Sequence, residues 1–140
     1  MMGAMRGAVV LLLSGFVVIP AFGYEPRVNY QLHCMGCHLA DGAGEAGRLP
    51  SMRGTLVPFS AIPAGREYLL RVPGAAQAPL SDADLAALMN WMVRNLSDLS
   101  LPADFVDYTA AEVGRARHRP LVRTVAERGR LLELTRAPAM

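Results

Sequence analysis

Apolar residues recur along this chain at helical spacing. Leu85, Leu88, Met89, Met92 and Leu96 stand at offsets 0, 3, 4, 7 and 11, one stripe of a 3.6-residue helix. Ser81 precedes the stripe with Asp84 three residues on, a hydroxyl cap and an acid at the positive end of the dipole. The pattern predicts a helix from Ser81 to about Leu96. A shorter series, Val28, Tyr30, Leu32 and Met35, predicts one to three turns between Glu25 and Met35, with Pro26 suited to the first turn. Asp41 to Gly54 (DGAGEAGRLPSMRG) is rich in glycine and reads as loop. Thr55 to Gly65, with Pro58 and Pro63, reads as irregular, then a short helix at Arg66 to Arg71, broken by Val72-Pro73-Gly74. Leu99 to Tyr108 reads as a connector. Thr109 and Glu112 repeat the capping signature and Pro120 marks another start, so two short helices are expected. No internal repeat and no alternating run suggests a sheet, and the expected fold class is all-α.

The first residues carry a different pattern. Met1 to Arg6 holds one positive charge, Gly7 to Ile19 is uncharged and apolar, and Ala21-Phe22-Gly23 places small residues where a signal peptidase cleaves. Residues 1–23 are read as a secretory signal, because the apolar run is shorter than the ~20 residues a spanning helix needs. The alternative is an uncleaved N-terminal anchor, the one route by which a membrane would be involved. The expected location is therefore exported and periplasmic.

Composition narrows the classes. With 140 residues, 52% hydrophobic and 19% charged, the chain can build a core and excludes a large multidomain enzyme. The net charge of +2 decides nothing about partners. Its distribution is more informative: residues 24–110 hold six arginines and nine acids, residues 111–140 seven arginines and three acids. The basic end is read as an extension that docks an acidic redox partner or wraps back on the rest of the chain. Export argues against nucleic acid.

The chemistry lies in Cys34-Met35-Gly36-Cys37-His38. C-x-x-C-H is the attachment motif for a c-type haem: two thiols on one turn add to the porphyrin vinyl groups, and the adjacent imidazole becomes the proximal iron ligand. A disulfide, a thiol-exchange pair and half a zinc site compete with this reading. Zinc needs four ligands, and only His33, His38 and His118 join the two thiols. An exchange motif is expected in a βαβ pattern, which is absent.

Residues 24–97 resemble a class I-type cytochrome c domain, a set of helices around one covalent haem. The likeness extends to Tyr30 four residues before Cys34, to Asp41-Gly42-Ala43-Gly44 after the histidine, and to Pro50-Ser51-Met52-Arg53-Gly54, similar to the family's P-x-L-x-G. The resemblance implies that the Pro50 carbonyl accepts the Nδ1 proton of His38 and orients the ring, and that Trp91 packs near the haem edge and the entry helix. It also implies a close helix contact made through a glycine, although none lies between Glu25 and Cys34. Where family members present a ligating methionine before a Leu-Ser-Asp helix start, this chain has Val72 ahead of Leu80-Ser81-Asp82. The remaining candidates for the sixth ligand are Met52, Met89, Met92, His33 and His118. Met89 and Met92 sit on the apolar stripe as core fillers, and both His33 and His118 read as surface residues. Met52 lies on a loop and is carried as the candidate, although it stands at the family's leucine position.

The resemblance implies a one-electron carrier between a dehydrogenase and a downstream acceptor, with one covalent haem c and its iron and no catalytic acid, base or nucleophile. The missing methionine raises a second reading, an open iron that binds small ligands or reacts with peroxide. For that reading Arg53, Arg66 and Arg71 are distal candidates that spacing does not place. A third makes the chain a haem subunit of a larger periplasmic oxidoreductase. The expected organisation is 1–23 signal or anchor, 24–97 haem domain, and 98–140 basic extension.

Overall fold

The computed structural model describes residues 23–136, so the signal or anchor expected over residues 1–23 lies, all but Gly23, outside the described residues. The described residues form helices joined by loops, with one isolated bridge between Glu45 and Leu49 and no sheet. The all-α expectation is met. In chain order they are α1 (Pro26–His33), α2 (Met35–His38), α3 (Leu56–Ser60), α4 (Pro63–Arg71), α5 (Pro73–Ala76), α6 (Asp82–Asn95), α7 (Ala110–Arg117) and α8 (Thr124–Arg136).

The long helix α6 begins where its caps require. Ser81 Oγ accepts the N–H of Asp84 at 3.1 Å and donates to the Asp84 carboxylate at 2.6 Å. Its stripe of Leu85, Leu88, Met89, Met92 and Val93 is buried. α1 starts on Pro26 at a first-turn position, where a missing N–H costs no helical bond. α1 meets α6 without a glycine: the Tyr30 and Trp91 rings lie 5.5 Å apart, and Asn29 is buried on the same helix, donating to the Tyr24 carbonyl.

Between Thr55 and Arg71 the sequence reading is corrected. Leu56–Ser60 is helical because Leu56, Val57 and Phe59 are all buried, and Pro58 falls in the first turn, where its missing donor is no loss. α4 begins at Pro63, three residues before the expected start. Gly65 lets the two helices touch, since a Cβ there would stand 2.3 Å from the Phe59 carbonyl oxygen. The break at Val72 is present, and Pro73–Ala76 then forms a further turn of helix.

The end of the chain folds onto this frame. Thr109 caps α7 by accepting the Glu112 N–H. Tyr108, Val113 and Ala116 join the main core with Leu56, Leu85 and Leu88. α8 starts at Thr124, later than Pro120, because Leu121 donates its N–H to the Arg71 carbonyl and holds that segment against α4. Leu131 of α8 is fully buried with Phe59 and Tyr68 in a second apolar cluster. Several of the late arginines are paired within the fold: Arg117 with Asp82, Arg119 with Glu67, and Arg130 with Glu127 of its own helix.

Candidate haem-attachment site

The Cys34–His38 segment is one tight turn. α1 ends at His33, Cys34 adopts a non-helical conformation, and α2 resumes at once. Cys37 and His38 both donate their backbone N–H to the Cys34 carbonyl, at 3.1 and 2.9 Å. That geometry gathers both thiols and the imidazole on a single turn. Leu39 then ends the helix at φ 64°, a left-handed conformation disfavoured for a branched side chain. Tyr30 holds it there, its hydroxyl donating to the Leu39 carbonyl at 2.6 Å. Burial raises the Tyr30 hydroxyl pKa to about 12, so the group is a proton donor throughout the neutral range.

The thiols are unpaired, Cys34 half-buried and Cys37 exposed. Burial pushes the Cys34 pKa up to about 11, which describes a neutral thiol rather than the depressed thiolate of an exchange enzyme. His38 is shifted the other way: burial lowers its pKa, favouring the neutral ring that a metal requires. Among the described residues no group of three or more histidine, cysteine or acidic side chains converges to hold a bare cation.

Behind the turn, the loop folds back on the histidine. Gly44 donates its N–H to the His38 carbonyl, and Met52 donates to that of Gly42. Gly44 lies at φ 69°, with the Leu49 and Pro50 carbonyl oxygens 2.5 and 2.9 Å from where a Cβ would sit. Pro50 is thereby brought beside the residue bonded to His38. The implied hydrogen bond to the Pro50 carbonyl is nevertheless not made, and His38 Nδ1 is buried without a partner. Two free thiols and a half-buried imidazole on one turn fit a group that is tethered through sulfur and ligated through the ring.

The other candidates are dispersed. Met89 and Met92 are buried in the core, as the apolar stripe implied. Met52 is half-buried and packs against that core, its Cε 3.5 Å from the Cβ position of Gly42. His33 and His118 are exposed. Arg53 bridges Asp41 and Asp98, Arg66 pairs with Glu112, and Arg71 with Glu67. Val72, where the ligand methionine was expected, joins α4 to α5. The segment after it is clamped by Arg117, which donates to the carbonyls of Ala76, Ala78 and Leu80.

Sequence reasoning missed a cavity of about 580 Å³ between the Ala43–Ser51 loop and α8. The three motif side chains do not line it. Its far wall is Val125, Arg128, Gly129 and Leu132, whose i, i+3, i+4, i+7 spacing was legible but lay in a segment read only by its charge and its helix start.

No protein-family model matches the chain. Two known proteins are similar to it. A cytochrome c-552 of Thermus thermophilus is 29% identical, with 86% of this chain and 93% of the relative aligned. A second Thermus thermophilus protein, also called cytochrome c-552, is 30% identical, with 70% of this chain and 90% of the relative aligned.

Proposed function

Because this chain belongs to the cytochrome c family that includes cytochrome c-552, we propose that it is an exported, periplasmic mono-haem cytochrome carrying single electrons between a dehydrogenase and a downstream acceptor. Family membership implies covalently held haem c with its iron. The carrying observation is the turn that gathers Cys34, Cys37 and His38 with both thiols unpaired and the imidazole kept neutral by burial. Cys34 and Cys37 would tether the porphyrin, and His38 would ligate its iron. Pro50 is the neighbour assigned to orient the His38 ring, and Met52 is the candidate for a second protein ligand. Bound there, the haem supplies a one-electron ferric/ferrous couple. The chain's own part is to fix the ring, exclude water from one face and leave an edge for transfer. The proposed partner is an acidic redox protein that meets the arginines of the last thirty residues.

Export rests on the apolar run of residues 7–19. No helix among the described residues is long and apolar enough to cross a membrane.

A second reading has its own support. Val72 replaces the family's ligand, and Met89 and Met92 are locked in the core, which favours an iron with an open position that binds small ligands.

One experiment separates them. The full chain is matured with covalent haem and its ferric and ferrous spectra are recorded with and without CO. Low-spin spectra unchanged by CO support the carrier; high-spin spectra that shift with CO support the open iron. Loss of covalent haem in Cys34→Ala/Cys37→Ala, with retention in His33→Ala, is expected under both.

A further inference from the structure

We propose that the cleft between the Ala43–Ser51 loop and α8 is a binding site for a small organic monocarboxylate with a flat apolar body, a function separate from the haem reading above. The cleft has a volume of about 580 Å³, within the roughly 300–1,000 Å³ that small-ligand sites span. Both walls are apolar: Leu49 and Pro50 on the loop, Val125 and Leu132 on α8. A different side of α8 packs on the core, where Leu131 is fully buried against Phe59 and Tyr68, so the cleft face is not needed to hold the helix. Val125 is left 86% exposed. Beside it Gly129 makes a bare strip of helix, where a Cβ would meet nothing within 4 Å. A flat ring fits against such a strip, and covering Val125 and Leu132 adds the apolar contact that favours its entry.

Charge identifies the head group. The half-buried Arg128 reaches across the cleft from α8 to the loop and donates to the Ser51 carbonyl at 3.3 Å, with no carboxylate partner among the described residues. A guanidinium carries several N–H donors, and this single bond leaves the others for a carboxylate, which forms a charge-assisted pair with it. The number of negative charges follows from the two other ionised groups that line the cleft. Arg48 is already paired with Glu45 at 2.8 Å, so one cation is left uncompensated. A monoanion balances it, whereas a dianion would bring its second charge toward the Glu45 carboxylate. A neutral hydrocarbon would displace water from Arg128 without giving it a partner.

The test is titration calorimetry of the full haem-loaded chain with naphthoate. Saturable binding at one site is expected. Arg128→Gln is expected to weaken it at least tenfold, and the parent chain should show a similar loss for the neutral naphthamide. Gly129→Leu, whose side chain fills the strip while favouring the helix, is expected to abolish binding with the unfolding midpoint kept or raised. Arg27→Gln removes an exposed arginine of α1 that does not line the cleft and should bind naphthoate as the parent does. No saturable binding by the parent, or unchanged affinity in both Arg128→Gln and Gly129→Leu, would overturn the proposal. So would a haem absorption change on adding naphthoate that persists in Gly129→Leu, which places the anion at the iron. A chain that takes up no covalent haem refutes the cytochrome reading alone, and the same titration of that chain then decides this proposal.

Discussion

The Tyr30 hydroxyl donates to the Leu39 carbonyl at 2.6 Å, spanning the whole turn that carries Cys34, Cys37 and His38. One aromatic residue thereby packs α1 on Trp91 with its ring and locks the exit of the haem-attachment turn with its hydroxyl. Tyr30→Phe keeps the ring and removes the bond. The expected loss is about 1 kcal/mol, plus release of the left-handed Leu39, measured by chemical unfolding of the haem-loaded chain.

The same hydroxyl predicts an alkaline limit. Burial raises both Tyr30 and Tyr108 to about 12, above the value of about 10 for an unfolded tyrosine. The folded state then binds the proton more tightly. Stability is therefore complete below pH ~10 and falls between pH ~10 and ~12. In that window Tyr30→Phe should show a shallower loss than the parent, read from unfolding midpoints at a series of pH values.

Much of this arrangement was legible in the sequence because local rules decide it. α6 and α7 start where Ser81 and Thr109 cap them, and the motif turn follows from five adjacent residues. What escaped was set by distant partners. α3 is helical because Phe59 meets Tyr68 and Leu131, the last of them far along the chain in α8. Charge counting leaves open whether the late arginines dock a partner or wrap back on the chain, and it does not reveal that Arg117 is engaged inside the fold.

Arg66 joins α4 to the late segment. Its guanidinium makes two 2.8 Å bonds to Glu112, a third to the Val106 carbonyl, and lies 4.0 Å from the Tyr108 ring centroid. A lysine reproduces the charge but neither the fork nor the stacking. Arg66→Lys is expected to destabilise by about 2 kcal/mol. A double-mutant cycle with Glu112→Gln should give a coupling above about 0.5 kcal/mol.

Arg117 is only 10% exposed along its side chain and ties together the carbonyls of Ala76, Ala78 and Leu80 and the Asp82 carboxylate. Arg117→Ala leaves several acceptors without a donor, at a cost of about 3 kcal/mol. The effect should be local as well as global. Amide exchange over residues 73–81 is expected to accelerate more than over α6.

The three methionines that could face the iron divide by burial. Met89→Leu and Met92→Leu exchange one core filler for another and are expected to cost less than about 1.5 kcal/mol each, with haem spectra unchanged. Met52→Leu is the substitution that tests axial ligation. In a carrier ligated by Met52 it converts the ferric spectrum from low to high spin, while a Met52 that only packs leaves the spectrum as it was.

Gly44 and Gly47 separate backbone strain from collision. Both have positive φ, 69° and 79°, so an alanine at either adopts a left-handed conformation at a cost of about 1 kcal/mol. At Gly47 a Cβ meets nothing within 4 Å, whereas at Gly44 it would sit 2.5 Å from the Leu49 carbonyl oxygen and 2.9 Å from that of Pro50. Those atoms are backbone and cannot step aside without moving the loop. Gly47→Ala should therefore lose about 1 kcal/mol and load haem normally. Gly44→Ala should lose more than twice that, displace Pro50 from the neighbourhood of His38 and perturb the haem spectrum. Equal losses for the two variants in chemical unfolding would mean that the Gly44 loop gives way, and that the packing of Pro50 against it does not hold the His38 turn in place.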